Sequence, residues 1–194
     1  WDVDFAKLER ADNRRPNEKW RSDNQGLQAM TARPHLPSHF PGHDLYIWID
    51  ADCWLQDWSV IELLTRGARD GALCITAELD RAYVQFYDQG KITDWANGVY
   101  ASFFGEEIAA RLRNFPILNS GVFALRGDSP LWARWHQAME DGLSRNYDFY
   151  AEQFGLNRVV YLEDFPRNIL PATCNWLANR ARILFDEETN TFVE

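Results

Sequence analysis

The chain has 194 residues, 46% of them hydrophobic, and a formal net charge of −9. The apolar share excludes an intrinsically disordered chain and suffices for the core of one domain. The acidic balance excludes a nucleic-acid partner, which needs a basic patch, and no apolar run is long enough for a transmembrane segment.

In chain order, residues 1–22 are polar and charged and read as a loop-like lead-in. Asp23 or Asn24 is placed to cap a short helix reaching Met30 and Arg33, and Pro34 is expected to end it. "PHLPSHFPGHD" (34–44) holds three prolines and a glycine and reads as a loop. Its His35, His39 and His43 are four apart, but Pro37 and Pro41 oppose a helical metal-binding face, so they read as loop histidines. Leu45 to Ile49 has the composition of a strand buried on both faces. Trp58, Ile61 and Leu64 then recur at helical spacing, predicting a helix over 58–68 that stops near Gly67. "ALCITAEL" (72–79) reads as a second strand.

Residues 80–104 are aromatic and mixed without a period, and loop with short strand pieces is expected there. "GEEIAARLRNF" (105–115) is an amphipathic helix with Ile108 and Leu112 on one face. "PILNSGVFALRG" (116–127) is a strand carrying a polar insert at its middle. "SPLWARWHQAMEDGL" (129–143) is a helix with Ser129 as N-cap, Pro130 in its first turn, and Leu131, Trp135, Met139 and Leu143 as its buried stripe. Asp148 caps a further helix, "FYAEQFGLN". The end, "RILFDEETNTFVE", reads as a hairpin turning near Thr189-Asn190. Strands alternating with helices make an α/β protein. Cys53, Cys74 and Cys174 form no CxxC pair, which argues against zinc and for free thiols in a reducing compartment.

Two carboxylates, Asp50 and Asp52, stand where the strand at 45–49 gives way to a helix. In open α/β sheets that edge is where ligands bind. Hard oxygen donors two residues apart suit Mg²⁺ or Mn²⁺. The same two acids also suit solvated turn residues or helix-capping acids, and the motif alone leaves both readings open. Phosphatases of the haloacid-dehalogenase type share the Asp-x-Asp but need a Thr or Val where this chain has Trp54. Most of the tryptophans (48, 54, 58, 95, 132, 135 and 176) are expected in the core, Trp132 and Trp135 above all, although exposed ones suit stacking on sugars.

Three further segments, "ILNSGVFAL" (117–125), "YAEQFGLN" (150–157) and "LPATCNW" (170–176), follow the acids. An Arg-bearing helix, hydrophobic-DxD, Asn-Ser-Gly, Glu-Gln-x-x-Leu-Asn and Leu-Pro-x-x-x-Asn-Trp, in that order, resemble family 8 of the glycosyltransferases and its GT-A relatives. The resemblance covers roughly residues 24–178. It implies an α/β fold with a GT-A-like mixed sheet flanked by helices, similar to an open Rossmann-like α/β domain. It further implies a metal-dependent, retaining transfer of a sugar from a nucleotide-diphosphate donor, a UDP-sugar, to a carbohydrate or glycoconjugate acceptor. Asp50 and Asp52 would hold Mn²⁺ (or Mg²⁺) against the diphosphate, with Asp50 also near the ribose. Arg33, 50 − 33 = 17 residues before the first acid, would contact the donor. Asp80 would bind sugar hydroxyls, and Asn119, Ser120 and Gly121 would border the donor sugar. Glu152 would accept hydrogen bonds from sugar hydroxyls, and Gln153 would lie near the anomeric carbon, steadying positive charge there.

The chain also departs from the family. Only 49 residues precede Asp50, where the family has a longer nucleotide-binding start. No histidine follows His136 to serve as a third metal ligand. The expectation is therefore one GT-A-like catalytic domain over 1–194, incomplete at both termini, from a cytoplasmic protein peripheral to a membrane at full length. On its own the chain would hold metal and donor weakly. The alternative is a non-catalytic sugar- or nucleotide-binding module on a degenerate GT-A scaffold.

Overall fold

The computed structural model describes residues 30–83, 89–181 and 183–193. The expected lead-in at 1–22 and the cap at Asp23 or Asn24 lie outside them.

Residues 30–32 are helical, and the chain passes Pro34 as a 3₁₀ turn, Arg33–His35, straight into a short helix α1, Leu36–His39. The proline-rich stretch is thus partly helical rather than a loop. Pro34 and Pro37 each fall in the first two positions of their own turn, where a missing N–H costs nothing. His35 is consequently buried, its ring 4.4 Å from that of His136.

The elements that follow are β1 (Leu45–Ile49), α2 (Ser59–Gly67), β2 (Leu73–Ala77), α3 (Gln89–Phe104), α4 (Glu106–Leu112), β3 (Leu118–Arg126), α5 (Leu131–Arg145), α6 (Ala151–Leu162) and β4 (Arg167–Leu170). A 3₁₀ turn (Ala172–Asn175) leads to a terminal hairpin of β5 (Leu184–Asp186) and β6 (Thr191–Val193), in which Asn190 takes a left-handed φ of 54°. The main sheet has the order β1-β3-β2-β4. β3 runs antiparallel to both neighbours, and β4 runs parallel to β2. The protein is a mixed α/β structure whose mixed sheet is flanked by helices.

Side-chain alternation sorts the strands onto two faces. Tyr46, Leu73, Ile75, Phe123 and Leu125 join the main core under α3, α4, α5 and α6. Cys74, Val122 and Ala124 face the other way, against Leu64 and Ala68 at α2. The stripe of α5 is as its period requires: Leu131, Trp135, Met139 and Leu143 are all buried. Each such side chain contributes about 1.5–3 kcal/mol on burial. Gly155 lets α6 lie close on α5, because a Cβ there would meet the Met139 backbone nitrogen at 3.0 Å.

Two expectations need correction. β1 is an edge strand and only half-buried, with Ile49 37% exposed, rather than a strand buried on both faces. Residues 89–104 are one helix, not loop and strand pieces. The core face of α3 is built from Ala96 and the aromatic Tyr100, Phe103 and Phe104, at helical spacing, with the poor helix formers Asn97 and Gly98 between them.

Candidate functional site

β1 ends early, and the site exists because of it. The last ladder pair is Ile49 with Val122, after which the Asp50 N–H still reaches the Gly121 carbonyl at 2.8 Å. Beyond that point β1 has left, and the start of β3 needs other partners on that side. α6 supplies them. Gln153 Oε1 accepts from the Ser120 N–H at 3.2 Å, and Asn157 pairs with both backbone groups of Leu118, at 2.7 and 2.9 Å. Four residues of helix advance about 6 Å and two residues of strand about 6.6 Å, so residues 153 and 157 match 120 and 118 step for step. On the other side of β3 the pairing with β2 breaks register, from Ile75 opposite Phe123 to Thr76 opposite Asn119. Ser120, Gly121 and Val122 form the resulting bulge. The Asn-Ser-Gly insert therefore sits near the start of β3 at a bulge, not in mid-strand, and its polar groups are turned out of the regular ladder.

Within this frame Arg33 is buried, at 3% exposure, and gathers three chain-distant partners. Its Nη1 donates to Glu152 Oε2 at 2.6 Å and to Ser120 Oγ at 3.0 Å, and its Nη2 donates to Asp50 Oδ1. Ser120 Oγ also donates to Glu152 Oε2 at 3.0 Å. The Trp48 indole N–H reaches Asp50 Oδ1 at 2.6 Å, and the guanidinium lies over its ring. Burial pushes the Glu152 carboxyl up to about 7, against the lowering effect of Arg33 and Ser120. Burial pulls the Arg33 guanidinium down, but Glu152 and Asp50 outweigh it and leave the group above its ordinary value. Among the described residues Glu152 Oε1 is buried without a hydrogen-bond partner. The Trp135 indole fixes the same turn of α6 by donating to the Glu152 carbonyl at 2.9 Å.

A second cluster adjoins the first. Glu78, just past β2, receives Asn119 Nδ2 at 2.8 Å and Gln153 Nε2 at 3.0 Å on one oxygen, and pairs with Arg180 at 2.5 Å through the other. Asn119 Oδ1 accepts the Gly121 N–H at 2.8 Å and Asn175 Nδ2 at 3.0 Å. The three ion pairs, Arg33 with Glu152 and Asp50 and Glu78 with Arg180, are largely desolvated, so each holds its partners in one geometry rather than adding much net stability.

Of the residues singled out in the sequence, Arg33, Asp50, Asn119, Ser120, Gly121, Glu152 and Gln153 all come together in this network. Asp52 stands beside it, exposed, two residues past Asp50. Glu152 faces Arg33 and Ser120 in the interior rather than open space. Asp80 caps its own turn through the Ala82 N–H at 2.8 Å, and the acid that this turn sends into the network is Glu78. Sequence reasoning missed Glu78, Trp48, Asn175 and Arg180. Of these, Asn175 was within reach, since it lies in the quoted Leu-Pro-x-x-x-Asn-Trp segment. The shallow surface hollow along α2, lined by Trp58, Ile61, Glu62, Thr65, Arg66 and Arg69, shares no residue with the network.

Comparison with family models, characterised proteins and solved structures finds no significant match.

The donor set can be tested against a divalent ion. Asp50 Oδ1 is engaged by Arg33 and Trp48, while Oδ2 lies over Gly121, only 2.9 Å from where a Cβ would stand. Glycine thus leaves the space that this oxygen occupies. Burial first, and then the charges of Asp50 and Asp52, push the Cys53 thiol up, so both carboxylates act on one small region. Asp52 and Asp50 Oδ2 are hard oxygen donors of the kind that Mg²⁺ and Mn²⁺ take, ions that keep several waters or phosphate oxygens. Among the described residues no group of three or more His, Cys, Asp and Glu side chains is placed to hold a metal. Two carboxylates are what these residues can offer an ion.

Proposed function

We propose that this chain is a metal-dependent, retaining glycosyltransferase domain with a GT-A-like fold, acting on a nucleotide-diphosphate sugar. The observation that carries the reading is the convergence of residues 33, 50, 119–121, 152–153 and 175 into one hydrogen-bonded network beside exposed Asp52. Polar residues with only local roles would be scattered over the surface.

A divalent ion held by Asp52 and Asp50 would supply Lewis-acid neutralisation of the charge on the leaving diphosphate. The chain's own residues do the rest. Arg33 aims Asp50 by gripping Oδ1, leaving Oδ2 over Gly121. Gln153 is held by Glu78 and Ser120, so its amide is fixed in place before a sugar arrives. A carboxamide is a poor nucleophile, so Gln153 steadies positive charge at the anomeric centre rather than forming a covalent bond. Retention then requires the acceptor hydroxyl to enter on the face the phosphate leaves, its proton passing to the departing phosphate oxygen. Positioning and electrostatics carry the rate.

The second reading, a non-catalytic sugar- or nucleotide-binding module, is favoured by one observation: Arg33 and Trp48 already occupy one oxygen of Asp50. Donor hydrolysis separates the two. The first reading expects release of free sugar from a UDP-sugar that requires Mn²⁺ and falls at least about a hundredfold in Asp52→Asn. UDP-sugar binding unaffected by Mn²⁺ and by Asp52→Asn, without turnover, establishes the second.

A further inference from the structure

Side chains alternate along β1, which puts Tyr46, Trp48 and Asp50 on one face. Tyr46 and Trp48 pack on the main core, whereas Leu45 and Ile47 pack on the opposite side of the sheet. The Asp50 N–H still bonds to the Gly121 carbonyl at 2.8 Å, so the alternation carries through to the acid. That row brings the Trp48 indole N–H to 2.6 Å from Asp50 Oδ1. A phenylalanine or leucine would fill the same half-buried position with no N–H to give.

The Arg33 guanidinium, by contrast, leaves one donor idle. An arginine commonly grips a carboxylate with two parallel N–H groups, one to each oxygen, and Nε with Nη2 makes such a fork. Here Nη2 meets Asp50 Oδ1 alone, and Nη1 goes to Glu152 and Ser120. Nε is buried with no hydrogen-bond partner among the described residues. Were Asp50 Oδ2 to come to Nε, the fork would be complete and a costly buried donor satisfied. Instead Oδ2 lies over Gly121. Among the described residues the other side-chain donor on Asp50 is the Trp48 indole, whose ring also lies 5.2 Å from the Arg33 guanidinium carbon.

We propose that Trp48 is a positioning residue that keeps Asp50 out of the full grip of Arg33 and so leaves Oδ2 unclaimed. Its consequence for an ion rests on the transferase reading of the Asp50–Asp52 site, whereas the orientation of the carboxylate belongs to the fold. Indole and guanidinium hold one oxygen of Asp50 from two groups, so the carboxylate cannot turn into the fork without giving up the indole. Trp48 touches no reacting atom; it acts through Asp50. The strand supplies this without any loop, because a tryptophan two residues before an acid shares its face.

Trp48→Phe tests this, since it keeps an aromatic ring on the core and removes only the N–H. In a crystal structure of Trp48→Phe, Asp50 should turn so that Oδ2 meets Arg33 Nε. A carboxylate left as in the parent chain overturns the proposal. A second measurement needs only the parent fold: in proton–nitrogen NMR spectra the Trp48 indole proton should lie downfield and move upfield in Asp50→Asn. An indole proton indifferent to Asp50→Asn also overturns it. Calorimetry with Mn²⁺ and UDP reads the consequence. Trp48→Phe should bind the ion about 10- to 100-fold more weakly than the parent chain, and equal affinity counts against the proposal. No ion binding by the parent, with Asp50 turned in Trp48→Phe, keeps the role of Trp48 and removes the transferase reading. Ion binding by the parent, with Asp50 unturned in Trp48→Phe, does the reverse.

Discussion

Asp50 and Asp52 are separated by one alanine and belong to opposite regimes. Asp50 is built into the interior: a buried guanidinium and an indole hold one of its oxygens, and a glycine makes room for the other. Asp52 is exposed and opens onto a loop whose neighbours are rings in water. The inner acid is where the fold spends its organisation, and the outer acid is where a ligand can enter without undoing it. A site needs both, because a free carboxylate is mobile and a fully bonded one has nothing left to give.

The largest blow to the inner half should come from Arg33→Met. It strands Glu152 and Asp50 without their shared cation, and urea melts should show a loss of about 3–5 kcal/mol. Next is the pH dependence that Glu152 imposes. Below its ordinary value of 4.5 the carboxyl is protonated folded or unfolded, and between there and about 7 only the folded state keeps the proton. Its contribution to stability is therefore full at low pH and lost as pH rises through about 7, on the order of 3 kcal/mol across the window. Glu152→Gln should flatten that slope relative to the parent chain, read from melts at several pH values. An unchanged slope would mean that Glu152 is ionised throughout. Gly121→Ala is expected to cost about 1–3 kcal/mol, because its Cβ would stand 2.8 Å from Asn119 Oδ1 and 2.9 Å from Asp50 Oδ2. It should also weaken Mn²⁺ binding in calorimetry by turning Asp50 aside. The smallest effect on stability belongs to the outer half. Asp52→Asn should shift it by no more than about 0.5 kcal/mol while, on the proposed transferase reading, abolishing Mn²⁺-dependent donor hydrolysis. A stability loss as large as that of Arg33→Met would erase the distinction between the two acids.

How much of this was visible in the amino-acid order depended on the range of the forces involved. The stripe of α5 announces itself through local period, and the strands at 45–49 and 72–79 through apolar composition. α3 carries a helical spacing too, in Ala96, Tyr100, Phe103 and Phe104, but the weak helix formers Asn97 and Gly98 among them dilute its propensity. The burial of His35 was hidden by prolines that happen to occupy tolerated first-turn positions. Most of the site residues were legible as motifs, but their relations were not. Arg33 and Glu152 are 119 positions apart, and nothing local says that one will neutralise the other. Choosing Glu78 over Asp80 required knowing where β2 stops, a matter of two residues.

The borrowed pairing at the start of β3 limits how the chain can change. Gln153 and Asn157 serve Ser120 and Leu118 only while four residues separate them. Adding a single residue between them would swing one amide about 100° around the helix axis and orphan the backbone it serves. Drift by substitution is open to this stretch, whereas drift in length is confined to the connecting segments, and the distance from the carboxamide at 153 to the strand is inherited as a fixed dimension.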